Sequence, residues 1–130
     1  MLDRVWIGSA ADFYAPLACM GFSGVVDLRD GEQPSCDTRV TTHRIDQRDG
    51  DPWNREQVLK ALAFVAEQVK KGPVLIACAA GMSRSACMVI GFLVMTGWDV
   101  PSAFRRVKEV RPQVAPIPAM LASVLAAVAS

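Results

Sequence analysis

Val74-Leu75-Ile76-Ala77-Cys78-Ala79-Ala80-Gly81-Met82-Ser83-Arg84-Ser85 is the stretch whose reading decides the fold. The unbroken apolar run from Val74 to Ala77 predicts a strand covered on both faces of a sheet. That strand delivers Cys78 to its carboxyl end, a tight loop of five residues follows, and Arg84-Ser85 opens a helix. Successive amides of such a loop can turn inward at the positive end of a helix dipole, which makes a nest for an anion. Gly81 lets the backbone turn where a Cβ would crowd it. Arg84 supplies a planar fork of donors that matches two phosphate oxygens at once. The same field favours Cys78 as a thiolate nucleophile at neutral pH. Ser85 can donate a hydrogen bond to that sulfur, which matters most when the thiolate must leave again.

Outward from this stretch the pattern alternates. Short β-type runs are expected at Arg4–Ile7, Ser23–Leu28, Val40–Ile45 and Val74–Cys78. Asn54 can cap a helix through Lys71, with Gln57 as its capping-box partner. Val58, Leu62, Val65 and Val69 form the apolar stripe of that helix, and Gly72-Pro73 ends it. A second helix from Ser83–Ser85 to Thr96 is apolar on nearly every side, which predicts a central position. Two more are expected at about Ser102–Val110, stopped by Arg111-Pro112, and at Pro118–Ala129. The fold class is α/β, a small, mostly parallel twisted sheet flanked by helices, forming one domain over residues 1–130.

Composition narrows the function. The chain has 130 residues, 52% of them hydrophobic, and a formal charge of +1, enough for one core and without the basic surplus of a nucleic-acid binder. Four cysteines without a Cys-x-x-Cys pair and a single histidine, His43, leave no zinc set, so neither metal nor other cofactor is expected. Met1-Leu2-Asp3-Arg4 lacks a signal-peptide profile, and the apolar run Ala86–Met95 is too short to span a membrane. These features lead to the expectation of a cytoplasmic monomer with reduced thiols, free of nucleic-acid and membrane partners.

Cys78 to Ser85 resembles the Cys-x5-Arg-Ser/Thr signature of the cysteine-dependent protein tyrosine phosphatases, and Ala80-Gly81-Met82-Ser83-Arg84-Ser85 is similar to their dual-specificity branch. Val5-Trp6-Ile7-Gly8-Ser9-Ala10, Gly24-Val25-Val26-Asp27-Leu28 and Arg111-Pro112 resemble the family's opening strand, next core strand and final turn. The resemblance implies a compact phosphatase-like fold and a phosphorylated protein or peptide substrate. It implies catalysis through Cys78, Arg84, Ser85 and an aspartate, on a loop formed by Ala79, Ala80, Gly81, Met82, Ser83 and Arg84. Two positions depart from the pattern. Ala77 stands where the family usually has His, and Pro116-Ile117-Pro118 is apolar where an Asn commonly follows, so a hydrogen bond bracing the loop must come from elsewhere or be absent.

Cleavage by a thiolate leaves an oxyanion that needs a proton, so a carboxylic acid should face the loop. Asp46, Asp49 and Asp51 are the candidates. By analogy with the family, counting from the strand end at Ile45 favours Asp49, flanked by Gly50, over Asp51 and then Asp46. Other residues receive plainer expectations. Cys87, Met82, Met88 and Met95 pack, Arg29 sits on the rim rather than on a substrate phosphate, and His43 lies on a strand surface. Cys36 could reach an oxidised Cys78. A shallow pocket would admit phosphoserine and phosphothreonine beside phosphotyrosine. Ala79, Ala80 and Met82, where lipid phosphatases often carry lysines, argue against an inositol head group. The rivals are a phosphate-binding pseudophosphatase and a rhodanese-like sulfurtransferase.

Overall fold

The strand Val74–Ala77 is buried at every residue, as its unbroken apolar run requires. In the computed structural model, which describes residues 4–9, 21–31 and 40–129, it is the fourth strand of one sheet. The elements run β1 (Val5–Gly8), β2 (Gly24–Asp27), β3 (Thr41–Arg44), α1 (Arg55–Gln68), β4 (Val74–Ala77), α2 (Arg84–Met95), α3 (Val100–Val110) and α4 (Pro118–Ala129). The strand order is β1-β4-β2-β3 and all pairings are parallel. Ala77 lies level with Gly8 on one side and Asp27 on the other, so three strands end together. Cys78 therefore emerges at the carboxyl edge of the sheet, where open α/β folds collect their ligands.

The helices follow from local chemistry. Asn54 caps α1, its Oδ1 accepting the Gln57 N–H at 3.1 Å. The helix ends at Gln68 rather than Lys71, because the Lys71 N–H returns to the Gln68 carbonyl in a turn. Residues Arg84 to Leu93 of α2 are all buried, the central position expected of a helix apolar all round. Helix α3 begins two residues earlier than its apolar pattern suggests. Asp99 caps it, accepting from the Ser102 N–H at 2.8 Å, and Pro101 lies in the first turn. Helix α4 spans Pro118–Ala129 as expected. Val26, Leu62, Ile76, Met88, Leu93 and Met120 belong to the core between sheet and helices.

Two expectations about side chains are corrected. Arg29 is not on the rim. It is 1% exposed, and its Nε and Nη2 grip the two carboxylate oxygens of the equally buried Asp27, each at 3.0 Å. A carboxylate at the end of a core strand must be paired, and the residue two positions on is the nearest cation that can fork onto it. Of the methionines named, Met88 fills the core, but Met82 and Met95 are each 41% exposed. Met82 sits at the crest of the loop and Met95 in the last turn of α2, where little surrounds them. His43 is half-buried on β3 and stacks on Phe64, ring centroids 5.3 Å apart; burial first, and then the charge of Lys60, lowers its pKa. Cys19 and Cys36 lie outside the described residues. Among the described residues no helix is long and apolar enough to cross a membrane.

Candidate active site

The site is built around the Cys78 sulfur, which is 2% exposed. The Gly81 N–H donates to Sγ at 3.3 Å, and the Ser85 hydroxyl, from the first turn of α2, lies 3.3 Å away. The amide, and the hydroxyl when it turns its hydrogen toward the sulfur, stabilise negative charge there. Gly81 makes this possible by adopting φ +69°, and a Cβ there would meet the Gly8 carbonyl at 2.7 Å and Arg111 Nη2 at 2.6 Å. Gly81→Ala is therefore expected to lower kcat/KM by ~10²-fold or more by swinging its amide off the sulfur. Steady-state kinetics with a thermal melt as control would check this, and wild-type kinetics would contradict it.

The loop is braced from outside by backbone and arginine. Arg111 Nε donates to the Gly81 carbonyl at 2.9 Å, the Ala115 N–H to the Met82 carbonyl at 2.7 Å, and the Ile117 N–H to the Ser83 hydroxyl at 3.2 Å. The apolar Pro116-Ile117-Pro118 segment thus braces the loop through the Ile117 main-chain amide, beside that of Ala115, instead of an asparagine. Behind the loop, the fully buried Met120 thioether receives the Ser83 hydroxyl at 3.8 Å and the Gly50 N–H at 3.1 Å.

Arg84 is 5% exposed and heavily anchored. Its Nη1 donates to the Gln47 carbonyl at 2.7 Å, to Asp30 Oδ1 at 3.0 Å and to the Leu28 carbonyl at 3.4 Å. The Arg84 hydrogen bond is the largest cause of a lowered pKa at Asp30. In contrast, the buried Nε has no hydrogen-bond partner among the described residues. Asp49 Oδ1 faces it at 3.9 Å, beyond hydrogen-bond reach. An unsatisfied buried guanidinium donor costs about 1–3 kcal/mol, so a ligand oxygen is the natural partner.

Cys78, Arg84 and Asp49 line one cavity of about 150 Å³, together with Ser83, Ala80 and Met82 from the loop and Ala115 and Ile117 opposite. Of the three aspartates only Asp49 reaches it. Asp46 accepts the Gly31 N–H at 2.9 Å, and Asp51 is turned outward, its carbonyl held by the Gln47 side chain at 2.8 Å. Ser85 lies behind the sulfur, fully buried, and Ala79 is exposed outside the lining. Cys87 is buried among the core residues of α2, its thiol pushed up to about 12 chiefly by burial and then by the charges of Asp49 and Cys78, so it packs as a neutral thiol. Gln47, Asp30 and Arg111 are contributors that sequence reasoning missed, since each reaches the loop across a long stretch of chain.

The sequence matches the family model of the dual specificity phosphatase catalytic domain over residues 5–128. The chain belongs to this family. It is a cysteine-dependent phosphatase of the dual-specificity branch, and its substrates are accordingly phosphorylated. The fold of this phosphatase is similar to human DUSP28, at 23% identity and TM-score 0.84 over 98% of this chain and 92% of that one. Human tyrosine phosphatase-like serine/threonine/tyrosine-interacting protein superposes with TM-score 0.85 at 21% identity, over 98% of this chain and 93% of that one. PTPMT1, solved in complex with PI(5)P, gives TM-score 0.77 at 18% identity over 98% and 91% of the two chains. No curated protein sequence matches the phosphatase.

Proposed function

We propose that the chain is a single-domain, cytoplasmic, monomeric phosphoprotein phosphatase that hydrolyses phosphotyrosine, and phosphoserine and phosphothreonine as well, through a phosphocysteine on Cys78. The observation that carries this reading is one small cavity shared by a sulfur within hydrogen-bond reach of the Gly81 amide and the Ser85 hydroxyl, a buried arginine whose Nε has no hydrogen-bond partner among the described residues, and the Asp49 carboxyl group. In the first step Cys78 attacks phosphorus in line, forming the S–P bond as the P–O bond to the leaving oxygen breaks. Arg84 and the loop amides stabilise the equatorial oxygens, and protonated Asp49 gives its proton to the leaving oxygen. In the second step Asp49, now a carboxylate, takes a proton from water as its oxygen attacks phosphorus. The S–P bond breaks, inorganic phosphate leaves and the Ser85 hydroxyl stabilises the departing thiolate.

The apolar lining by Ala80, Met82, Ala115 and Ile117 suits the ring or methylene of a phosphorylated side chain. Arg84 is the sole cation among the described lining residues, which favours one phosphate over the several of a polyphosphoinositide. A nucleophilic thiol also works only where it stays reduced, which supports the cytoplasm.

Asp49→Asn is expected to lower kcat by ~10²-fold or more and to flatten the alkaline limb of the pH–rate profile. The sign follows from the role: activity falls with rising pH as the donor loses its proton, and removing the donor removes that fall. Asp51→Asn and Asp46→Asn should leave the profile intact, and a flattened limb in Asp51→Asn instead would move the acid by two residues. Binding of a phosphotyrosyl peptide without any turnover between pH 5 and 7 would make the chain a phosphate-binding module instead.

A further inference from the structure

Asp49 has a half-exposed side chain, and its direction is set by the turn that carries it. That turn is closed by one buried amide. Gln47 is 5% exposed, and its Nε2 donates across the turn to the Asp51 carbonyl at 2.8 Å and more weakly to the Pro52 carbonyl at 3.4 Å. Both partners are acceptors, so only the NH₂ end of a glutamine can serve them. Within this ring the Asp51 N–H returns to the Arg48 carbonyl at 3.2 Å, and Gly50 takes φ +96°. On its other side, the Gln47 main-chain carbonyl accepts the shortest hydrogen bond made by Arg84, at 2.7 Å. One residue thus joins the phosphate-binding arginine, through its backbone, to the shape of the turn, through its side chain.

Remaining supports of the turn are weaker or lie at its ends. The Gly50 N–H meets a thioether, a poor acceptor, and the Trp53 N–H meets the Ser123 hydroxyl at 2.8 Å, beyond the ring. Nothing about the Gln47 side chain touches the cavity. Its location is therefore suited to aiming another group rather than to meeting substrate.

We infer that Gln47 is the positioning residue for proton donation: its side-chain amide holds the Arg48–Asp51 turn so that Asp49 faces the sulfur before substrate arrives. This rests on the reading of Asp49 as the proton donor. A group that only aims an acid matters most when the leaving oxygen is basic, so the measurement is leaving-group dependence. With para-nitrophenyl phosphate the leaving phenolate needs little help, whereas with phenyl phosphate it needs a proton. Gln47→Leu, which keeps the bulk and removes the donors, is expected to lower kcat on phenyl phosphate ~10-fold more than on para-nitrophenyl phosphate. Inhibition by inorganic phosphate should stay at the wild-type level, because the backbone carbonyl that holds Arg84 remains.

Gln47→Glu gives an independent check. Its carboxylate would oppose two carbonyls, whereas the protonated acid can donate one hydrogen bond, so the ratio of the two rates should return toward wild type as pH is lowered. Asp49→Asn, measured beside both variants, should show the same selective loss in larger measure. Equal losses on both substrates in Gln47→Leu, or weakened inhibition by inorganic phosphate, would overturn the inference while leaving Asp49 as the donor. Absence of the selective loss in Asp49→Asn would overturn both.

Discussion

Cys78→Ser is expected to lower kcat on para-nitrophenyl phosphate by ~10⁴-fold or more while the cavity still takes up an oxyanion. Oxygen is smaller than sulfur, so the substitution adds no bulk, and the Gly81 amide and Ser85 hydroxyl would still face the new hydroxyl. A hydroxyl is far harder to ionise than a thiol, and no imidazole among the described residues lines the cavity to help it. The single histidine, His43, is stacked on Phe64 on β3 and lines no part of the cavity. Chemistry should therefore stop and binding persist, so the variant should retain phosphotyrosyl peptides measured by calorimetry. It should also capture phosphorylated proteins from a lysate of the native source. Residual turnover within tenfold of wild type would mean that the sulfur is not the nucleophile.

Arg84→Lys is the second large effect, with an expected fall of ~10³-fold in kcat/KM. The guanidinium does two jobs that one ammonium cannot share. Nη1 is committed to the Gln47 carbonyl, Asp30 and the Leu28 carbonyl, while Nε stays free for the ligand. A lysine ammonium drawn into the same carbonyls and carboxylate would have no planar second edge for phosphate. Inorganic phosphate inhibition should weaken alongside kcat, since ground state and transition state both use that edge. If kcat/KM fell by less than tenfold, charge alone would account for the binding and the fork geometry would be irrelevant.

How much of this was legible beforehand depended on sequence distance. The phosphate loop could be read because its parts are contiguous: strand, cysteine, glycine, arginine and serine fall within one short stretch. Asn54 could be read as a cap because its partner is three residues away. The Asp99 cap was hidden behind Val100-Pro101, a pair that looks like a break and in fact occupies the first turn of α3. Arg29 was misplaced because surface is the usual position for arginine. Only the fold reveals that Asp27 ends a strand inside the core and needs a counter-ion there. Long-range contacts left no trace at all. Arg111 meets a loop 30 positions away and Arg84 meets Asp30 at 54, and periodicity carries no information over such separations. The aspartates fell between these cases: spacing offers Asp46, Asp49 and Asp51 close together, and only the fold shows that Asp49 is the one of them that lines the cavity.

Met120 has a consequence for how this phosphatase answers acidity. The buried thioether is the common acceptor for the turn that carries Asp49 and for the loop that carries Cys78. Sulfur in a methionine holds no proton to lose or gain, so this contact between the two segments is blind to pH. Acid and base can then alter which protons the reacting groups carry while this one contact stays as it is.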